Sequence, residues 1–304
     1  MTRGTGTTLE IVEFTDPACP WAWGSEPTFR KLRHALRGAE QAGDVSWRRV
    51  CGILFDEDDD PAPDPAAEAL WYQEFVAGIA EHTAAPFAHR LERVAVSSWP
   101  ASLAAKAAEA QGALVAERVL RRLRESTFVV GTPADSERGV RDTVSGVPGL
   151  DREQLVRDLR DPATERAVRR DWRETRTPAR CVLEADGPGP HGGRAKFVNG
   201  RHRYALPTLR LTGPGGTVHV PGWRPYEEYA EAVLRAAPGV SPSSDLLPAD
   251  EALERYRTLT GVELRLLTGG QEAPGDAVRI ETGNGPLWLH PDEARTHPAL
   301  SHVA

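Results

Sequence analysis

Between Leu9 and Cys51 the chain spells strand, helix, strand, and so short a stretch folds as a βαβ unit with its two strands parallel. Leu9 to Phe14 (LEIVEF) mixes apolar and polar residues in the manner of a strand. The turn-rich run Thr15-Asp16-Pro17-Ala18-Cys19-Pro20 ends it. A helix is expected from Pro20, since proline suits the first helical turn, where its missing N–H is no loss. Phe29, Leu32 and Leu36 recur at helical spacing, and the helix should finish between Gly38 and Gly43. Val45 to Cys51 (VSWRRVC) is the second strand.

Beyond this unit the pattern changes. Phe55 to Pro65 (FDEDDDPAPDP) is too acidic and proline-rich to pack and is expected to be an exposed loop. Its acids match no calcium-loop spacing and are assigned to solvation. Ala66 to Arg176 is helical in character, with Leu103, Ala107, Ala110, Leu114 and Leu120 expected to face a core. Leu155, Leu159, Val168 and Trp172 anchor a later helical stretch, Leu150 to Arg176. Thr177 to Gly193 is a loop. Leu206 to Leu211 and Thr217 to Val220, joined by Gly213-Pro214-Gly215-Gly216, form a hairpin, and that placement disfavours a phosphate cradle. A helix from Tyr226 to Ala236 and a linker from Pro238 to Pro248 follow. The tail reads as a helix (Ala249 to Thr260), then strands at Val262 to Leu267, Ala277 to Thr282 and Leu287 to His290. The fold class is therefore α/β, interrupted by a helical subdomain over 66–176 and extended by a small α+β element over 249–304. No internal repeat is visible.

Composition narrows the function. A hydrophobic share of 40% and a charged share of 27% describe a globular chain, and no apolar run is long enough to span a bilayer. Met1 to Thr8 has no signal-peptide pattern, so a cytoplasmic location is expected, without membrane association. A net charge of −7 gives no reason to expect nucleic acid as a partner. The arginines interleave with acids on apparent helices and read as solvated faces. Abundant Arg, Ala, Gly and Pro hint at a GC-rich bacterial genome. The nine histidines are scattered, with no HExxH or His-x-His pair, so no metal site is expected. Three cysteines, Cys19, Cys51 and Cys181, form neither a disulfide framework nor a zinc knuckle.

Chemistry concentrates at Cys19. A thiol at a helix N-terminus meets unpaired backbone N–H groups and the positive end of the helix dipole, and both favour thiolate. A lowered thiol pKa and a sulfur open to solvent are therefore expected. Pro207 opens a strand, where its missing N–H is tolerated. If its peptide bond is cis, it places the preceding backbone against the thiol. Asp16 is assigned to shaping the turn, Trp23 to the core, and Trp21 to the exposed side of the site. Cys51 ends its strand on the Cys19 side of the sheet; a small buried hydrophobe is the plainer reading. Cys181 lies in a loop that leads back toward Pro207.

Three segments, in order, resemble the DsbA-like branch of the thioredoxin superfamily: Phe14-Thr15-Asp16-Pro17-Ala18-Cys19-Pro20-Trp21-Ala22-Trp23-Gly24, then Trp99-Pro100-Ala101 to Gln111-Gly112, and Ala205-Leu206-Pro207-Thr208. Leu120 to Gly131 (LRRLRESTFVVG) adds to the likeness, which runs over about residues 8 to 237. The nearest flavour is the FrnE-like and 2-hydroxychromene-2-carboxylate isomerase-like set. The resemblance implies a thioredoxin-like domain over 8–55 and 194–237, with the helices inserted between its halves. It implies thiol–disulfide chemistry at Cys19, with Pro20, Trp21, Ala22, Leu206 and Pro207 facing the substrate. Redox members carry a second cysteine where this chain has Ala22, so a lone Cys19 has no resolving partner in its motif. Glutathione or mycothiol would then serve as co-substrate, with no tightly bound cofactor, or Cys51 or Cys181 would resolve. The expected partners are a small thiol or a protein disulfide, and oligomeric state stays open. The alternatives are a thiol-dependent isomerase or transferase of the kappa glutathione-transferase type and a non-catalytic adaptor, since a related branch includes adaptors of the ClpXP protease.

Overall fold

The computed structural model describes residues 8–56 and 62–301. The middle of the acidic loop expected over Phe55 to Pro65 lies outside the described residues. β1 (Leu9–Thr15), α1 (Pro20–Gln41) and β2 (Val45–Cys51) form the expected unit, with β1 and β2 parallel and Thr15 opposite Cys51. Helices follow: α2 (Pro65–Thr83), α3 (Trp99–Ala108), α4 (Ala113–Glu125), which runs on into a π-helical turn at Ser126–Val130, α5 (Glu137–Thr143), α6 (Arg152–Leu159), α7 (Pro162–Thr175) and the short α8 (Arg180–Leu183). The chain then returns through a small hairpin, β3 (Lys196–Val198) and β4 (Arg201–Arg203), to β5 (Thr208–Gly213), β6 (Gly216–Pro221) and α9 (Tyr226–Ala236). The main sheet has the order β2-β1-β5-β6, with β5 antiparallel to both neighbours. This is the thioredoxin arrangement of a β-α-β half and a β-β-α half, separated by helices.

Alternation along β1 builds the two layers, because successive side chains leave a strand on opposite faces. Leu9 and Ile11 join Leu209, Leu211, Phe29, Leu32, Leu36, Tyr229 and Val233 in one core. Val12 and Phe14 point the other way, toward Cys19, Ala22, Val50, Val182, Tyr204 and Leu206. Register places the end of β1 beside the start of β5, Phe14 opposite Thr208, so the motif loop and Pro207 meet at one end of the sheet.

Several local expectations need correction. Ala101 to Arg124 is not one helix. α3 passes into a 3-10 turn at Glu109–Gln111, and Gly112, at φ 108, closes that turn and opens α4, a positive-φ geometry that glycine adopts without a Cβ penalty. The break resets the helical face, so Ala110 and Leu114 point to solvent, Leu114 at 46% exposure. Leu150 to Arg176 falls into α6 and α7, and Asp161 caps the second through Ala163 N–H at 2.7 Å. The hairpin β3–β4 has no counterpart in the sequence reading. In the tail, α10 (Ala249–Tyr256) ends earlier than expected and is followed by β7 (Thr258–Thr260). Val262 to Leu267, read as a strand, is helix: α11 (Gly261–Thr268) starts on a capping box formed by Thr260 and Glu263. β8 (Val278–Ile280) and β9 (Leu287–Leu289) complete a three-stranded sheet in the order β7-β9-β8.

The arginines of α4 do not form a solvated face. Arg121, Arg122 and Arg124 are buried, and the chain supplies acids around them. Arg124 donates to Glu26 at 2.6 Å, and Arg121 to Glu125 at 2.6 Å and to Glu263 at 3.0 Å. Arg30 of α1 reaches Glu263 at 2.9 Å, and Arg122 pairs with Glu293. His297 Nε2 lies 3.1 Å from Glu125. Leu287 and Leu289 of β9 pack with Trp23 and Phe128, so the tail is fused to the motif helix rather than appended to it.

Candidate functional site

Asp16 sets the turn that delivers the thiol. Its carboxylate accepts from Ala18 N–H at 2.9 Å and Leu54 N–H at 2.9 Å, and from the Ser98 hydroxyl at 3.0 Å. Burial pushes this carboxyl up from its ordinary pKa, against those three donors. Cys19 then caps α1: its backbone is extended, its carbonyl accepts the first helical hydrogen bond from Trp23, and Pro20 follows as the first helical residue. The Leu206–Pro207 bond is cis, and Cys19 Sγ donates to the Leu206 carbonyl at 3.5 Å. Motif loop and prolyl turn thus face each other across the sulfur.

The expected activation is not what this arrangement gives. Cys19 is 3% exposed and its thiol is pushed up to about 11. Burial is the largest cause; the N–H groups of Ala22 and Trp21 pull the other way, Asp16 adds to the rise, and Arg203 opposes it. The helix end favours thiolate as expected, but the loss of water around the sulfur outweighs it.

The sulfur nonetheless sits on the floor of a cleft of about 510 Å³, with Trp21, Leu54, Phe75, His191 and Leu206 among its walls. Pro20 also lines it, while Ala22 is turned into the core behind. Trp21 is half-buried and meets His191 edge-on at 5.0 Å. Trp23 is core, as expected, its indole N–H donating to the Pro86 carbonyl at 2.8 Å. The roof is the segment 185–194. Arg224 holds it, donating to the His191 carbonyl at 2.8 Å and the Gly192 carbonyl at 3.3 Å. Gly193 (φ +80) lies so close to β6 that a Cβ would stand 2.5 Å from the Pro221 carbonyl oxygen.

His191 escaped the sequence reading because it sits alone in a Gly/Pro loop, with no spacing that marks it. Desolvation brings it down to about 4, so it is neutral near pH 7. Desolvation lowers the His191 pKa and raises that of the Cys19 thiol, so each shift opposes proton transfer from the thiol to the ring. His191 walls the cleft; it does not activate the thiol.

The other two cysteines lie outside these walls. Cys51 is buried at the end of β2, its N–H donating to Asp171 at 3.2 Å, and burial raises its thiol far above the ordinary range. Cys181 is exposed on α8. Neither lines the Cys19 cleft, and all three cysteines are free. Among the described residues no cluster of three or more His, Cys, Asp or Glu could hold a metal ion, and no helix is long and apolar enough to cross a membrane.

A cysteine capping the first helix of this sheet, facing a cis prolyl turn across an inserted helical subdomain, defines a thioredoxin-type site with a single motif thiol. The family model described as Thioredoxin matches residues 13–177, more than half of the chain, and the chain belongs to that family. Among curated proteins, the ClpXP adapter protein SpxH of Shouchella clausii is 29% identical over 174 residues, covering 55% of this chain and 53% of that protein. The protein of the same name from Bacillus subtilis is 22% identical over 270 residues, covering 85% and 78%. The chain spans about half the length of the first curated relatives it matches. Among solved structures, a putative protein disulfide isomerase from Nitrosomonas europaea superposes with a TM-score of 0.55 at 11% identity, covering 74% of this chain and 96% of that one. A probable DsbA oxidoreductase from Streptomyces coelicolor gives 0.52 at 19% identity, covering 78% and 94%. At such identities the likeness is one of fold.

Proposed function

We propose that this chain is a cytoplasmic thiol–disulfide oxidoreductase that uses Cys19 alone, with a low-molecular-weight thiol such as glutathione or mycothiol supplying the second sulfur. One observation carries the reading: Cys19, although only 3% exposed, lines a cleft, with its Sγ at the first turn of α1 and 3.5 Å from the carbonyl that precedes Pro207. A disulfide entering there meets the sulfur, while Pro20, Trp21, Leu206 and Pro207 would orient the incoming group. The Cys19 thiolate, formed by loss of its proton to solvent and favoured by the N–H groups of Ala22 and Trp21, attacks one sulfur: Cys19–S⁻ + RSSR → Cys19–S–S–R + RS⁻, and the leaving RS⁻ takes up a proton from water. Because Ala22 replaces a second cysteine, the mixed disulfide waits for a small thiol to release it. Turnover is accordingly slow at neutral pH. The test is to incubate the Cys181→Ser variant with glutathione disulfide and mycothiol disulfide and to map adducts by mass spectrometry. An adduct on Cys19 that a free thiol removes supports the proposal; no adduct on Cys19 with either disulfide ends it.

A second reading is favoured by a separate observation. Leu70, Trp71 and Phe75 stand exposed along α2, Trp71 and Phe75 stacked at 5.7 Å, and Phe75 reaches the Cys19 cleft. An apolar ridge of this kind marks an interaction surface. With a protonated thiol beside it, the cleft would serve binding without turnover, in the manner that the name of the ClpXP adapter relatives suggests. A Cys19→Ser chain that keeps every cellular role of the parent would decide for this adaptor reading. The isomerase or transferase alternative needs the inserted helices to build the pocket, and they contribute Phe75 to it.

A further inference from the structure

Of the chain's three cysteines, Cys19 and Cys51 are buried and Cys181 is exposed. Cys181 sits on α8, which packs against the edge strand β6, and its Sγ lies 3.6 Å from His219 Nδ1. The imidazole is held rather than free. It stacks on Tyr204 at 6.3 Å and 12°, and Tyr204 in turn stacks on Phe14 at 4.1 Å. The Tyr204 hydroxyl is itself fixed by accepting from Ala179 N–H at 3.0 Å, one residue before α8 begins. His219 Nε2 is buried and, among the described residues, has no hydrogen-bond partner, while Nδ1 meets Cys181. Desolvation, with Arg210 alongside, lowers the His219 pKa and favours the neutral ring; in its Nε2–H tautomer the Nδ1 lone pair faces the Cys181 thiol.

We propose that Cys181 and His219 form a second thiol site, distinct from the Cys19 cleft, that takes up low-molecular-weight disulfides as a mixed disulfide. The Cys181 proton passes to His219 as Sγ attacks one sulfur of R–S–S–R. The S–S bond breaks, and the leaving RS⁻ takes the proton back from the imidazolium. The balance is Cys181–SH + RSSR → Cys181–S–S–R + RSH: the protein thiol is oxidised, one half of the disulfide is reduced, and no further reagent is consumed. Neither residue lines the Cys19 cleft.

The experiment uses the full chain carrying Cys19→Ser, so that chemistry at Cys181 is read apart from the function proposed above. Glutathione disulfide is added in excess at neutral pH, and the adduct is followed by intact-mass spectrometry and peptide mapping. One adduct, on Cys181, is expected. Adding His219→Phe keeps a flat ring on Tyr204 and removes both nitrogens; the rate at Cys181 should fall about a hundredfold while the melting temperature holds. An adduct that maps first to Cys51, or a Cys181 rate that His219→Phe leaves unchanged, overturns the proposal.

Discussion

At Cys19 two local effects oppose each other, and their balance fixes how the sulfur behaves. The N–H groups of the first helical turn favour the thiolate, and burial penalises it more, which leaves the thiol up at about 11. Compared with an ordinary thiol, the thiolate fraction at pH 7 is smaller by about a hundredfold. Alkylation of Cys19 should therefore be slow at neutrality and keep accelerating to about pH 11. Stability follows the same shift. The folded chain binds this proton more tightly than the unfolded chain does, so the contribution is complete below the unfolded thiol's pKa and fades as pH rises through the folded value. Thermal unfolding between pH 8 and 11 should show the parent losing melting temperature faster than Cys19→Ser. Superimposable profiles would mean that burial does not hold the proton. Cys181, exposed beside His219, should label first in any such series.

At the scale of elements, the roof over the cleft is the part most open to adjustment. The segment 185–194 is held by Arg224, which is itself buried, through carbonyls of His191 and Gly192. Replacing Arg224 with alanine leaves those carbonyls to water and loosens the roof, so Cys19 should gain solvent and its alkylation rate at pH 8 should rise several-fold. An unchanged rate, measured by timed quench and peptide mapping, would place the cause of burial in the walls instead. The elements themselves were unevenly legible. β1, α1, β2, the β5–β6 hairpin and α9 declared themselves through short-range pattern and turn chemistry; β2 and α9 have the expected bounds, while β5 starts at Thr208, two residues after the expected Leu206. Asp16 was readable as a turn former for the same local reason. Val262 to Leu267 was misread because its apolar residues fit two periods at once, and the decisive signal lay upstream in the Thr260–Glu263 capping box. The Cys19 environment was not readable. Cys19 packs with Val182, Tyr204 and Leu206, all more than 160 residues away in sequence, which no window around the motif contains.

On the scale of the whole molecule, the tail and the thioredoxin-type domain share one set of buried charges. Arg30 on α1 and Arg121 on α4 converge on Glu263 at 2.9 Å and 3.0 Å, and Glu125 takes Arg121 and His297 on its two oxygens. Taken singly, these arginines read as solvent-facing, because their shared acid, Glu263, lies 142 residues from Arg121 and 233 from Arg30 in sequence. Burial alone would raise the Glu26 carboxyl, yet Arg124, Arg121 and Arg30 together hold it down at about 2. Its contribution to stability is therefore present above the ordinary carboxylate pKa and is lost as pH falls toward 2. Removing one acid is the sharper probe. Glu263→Gln keeps size and deletes the charge, leaving two buried guanidinium groups without their shared counterion. Breaking a buried pair in this way costs about 3–5 kcal/mol. Glu165, by contrast, meets Arg169 in the open on α7, and Glu165→Gln should cost no more than about 1 kcal/mol. Urea unfolding followed by tryptophan fluorescence compares the two. If Glu263→Gln proves as mild as Glu165→Gln, the charges do not tie the tail to α1. If its cost is several-fold larger and the transition stays single, then residues 249–301 fold as part of the same cooperative unit that positions Cys19, because Trp23, four residues from that sulfur, shares its core with β9.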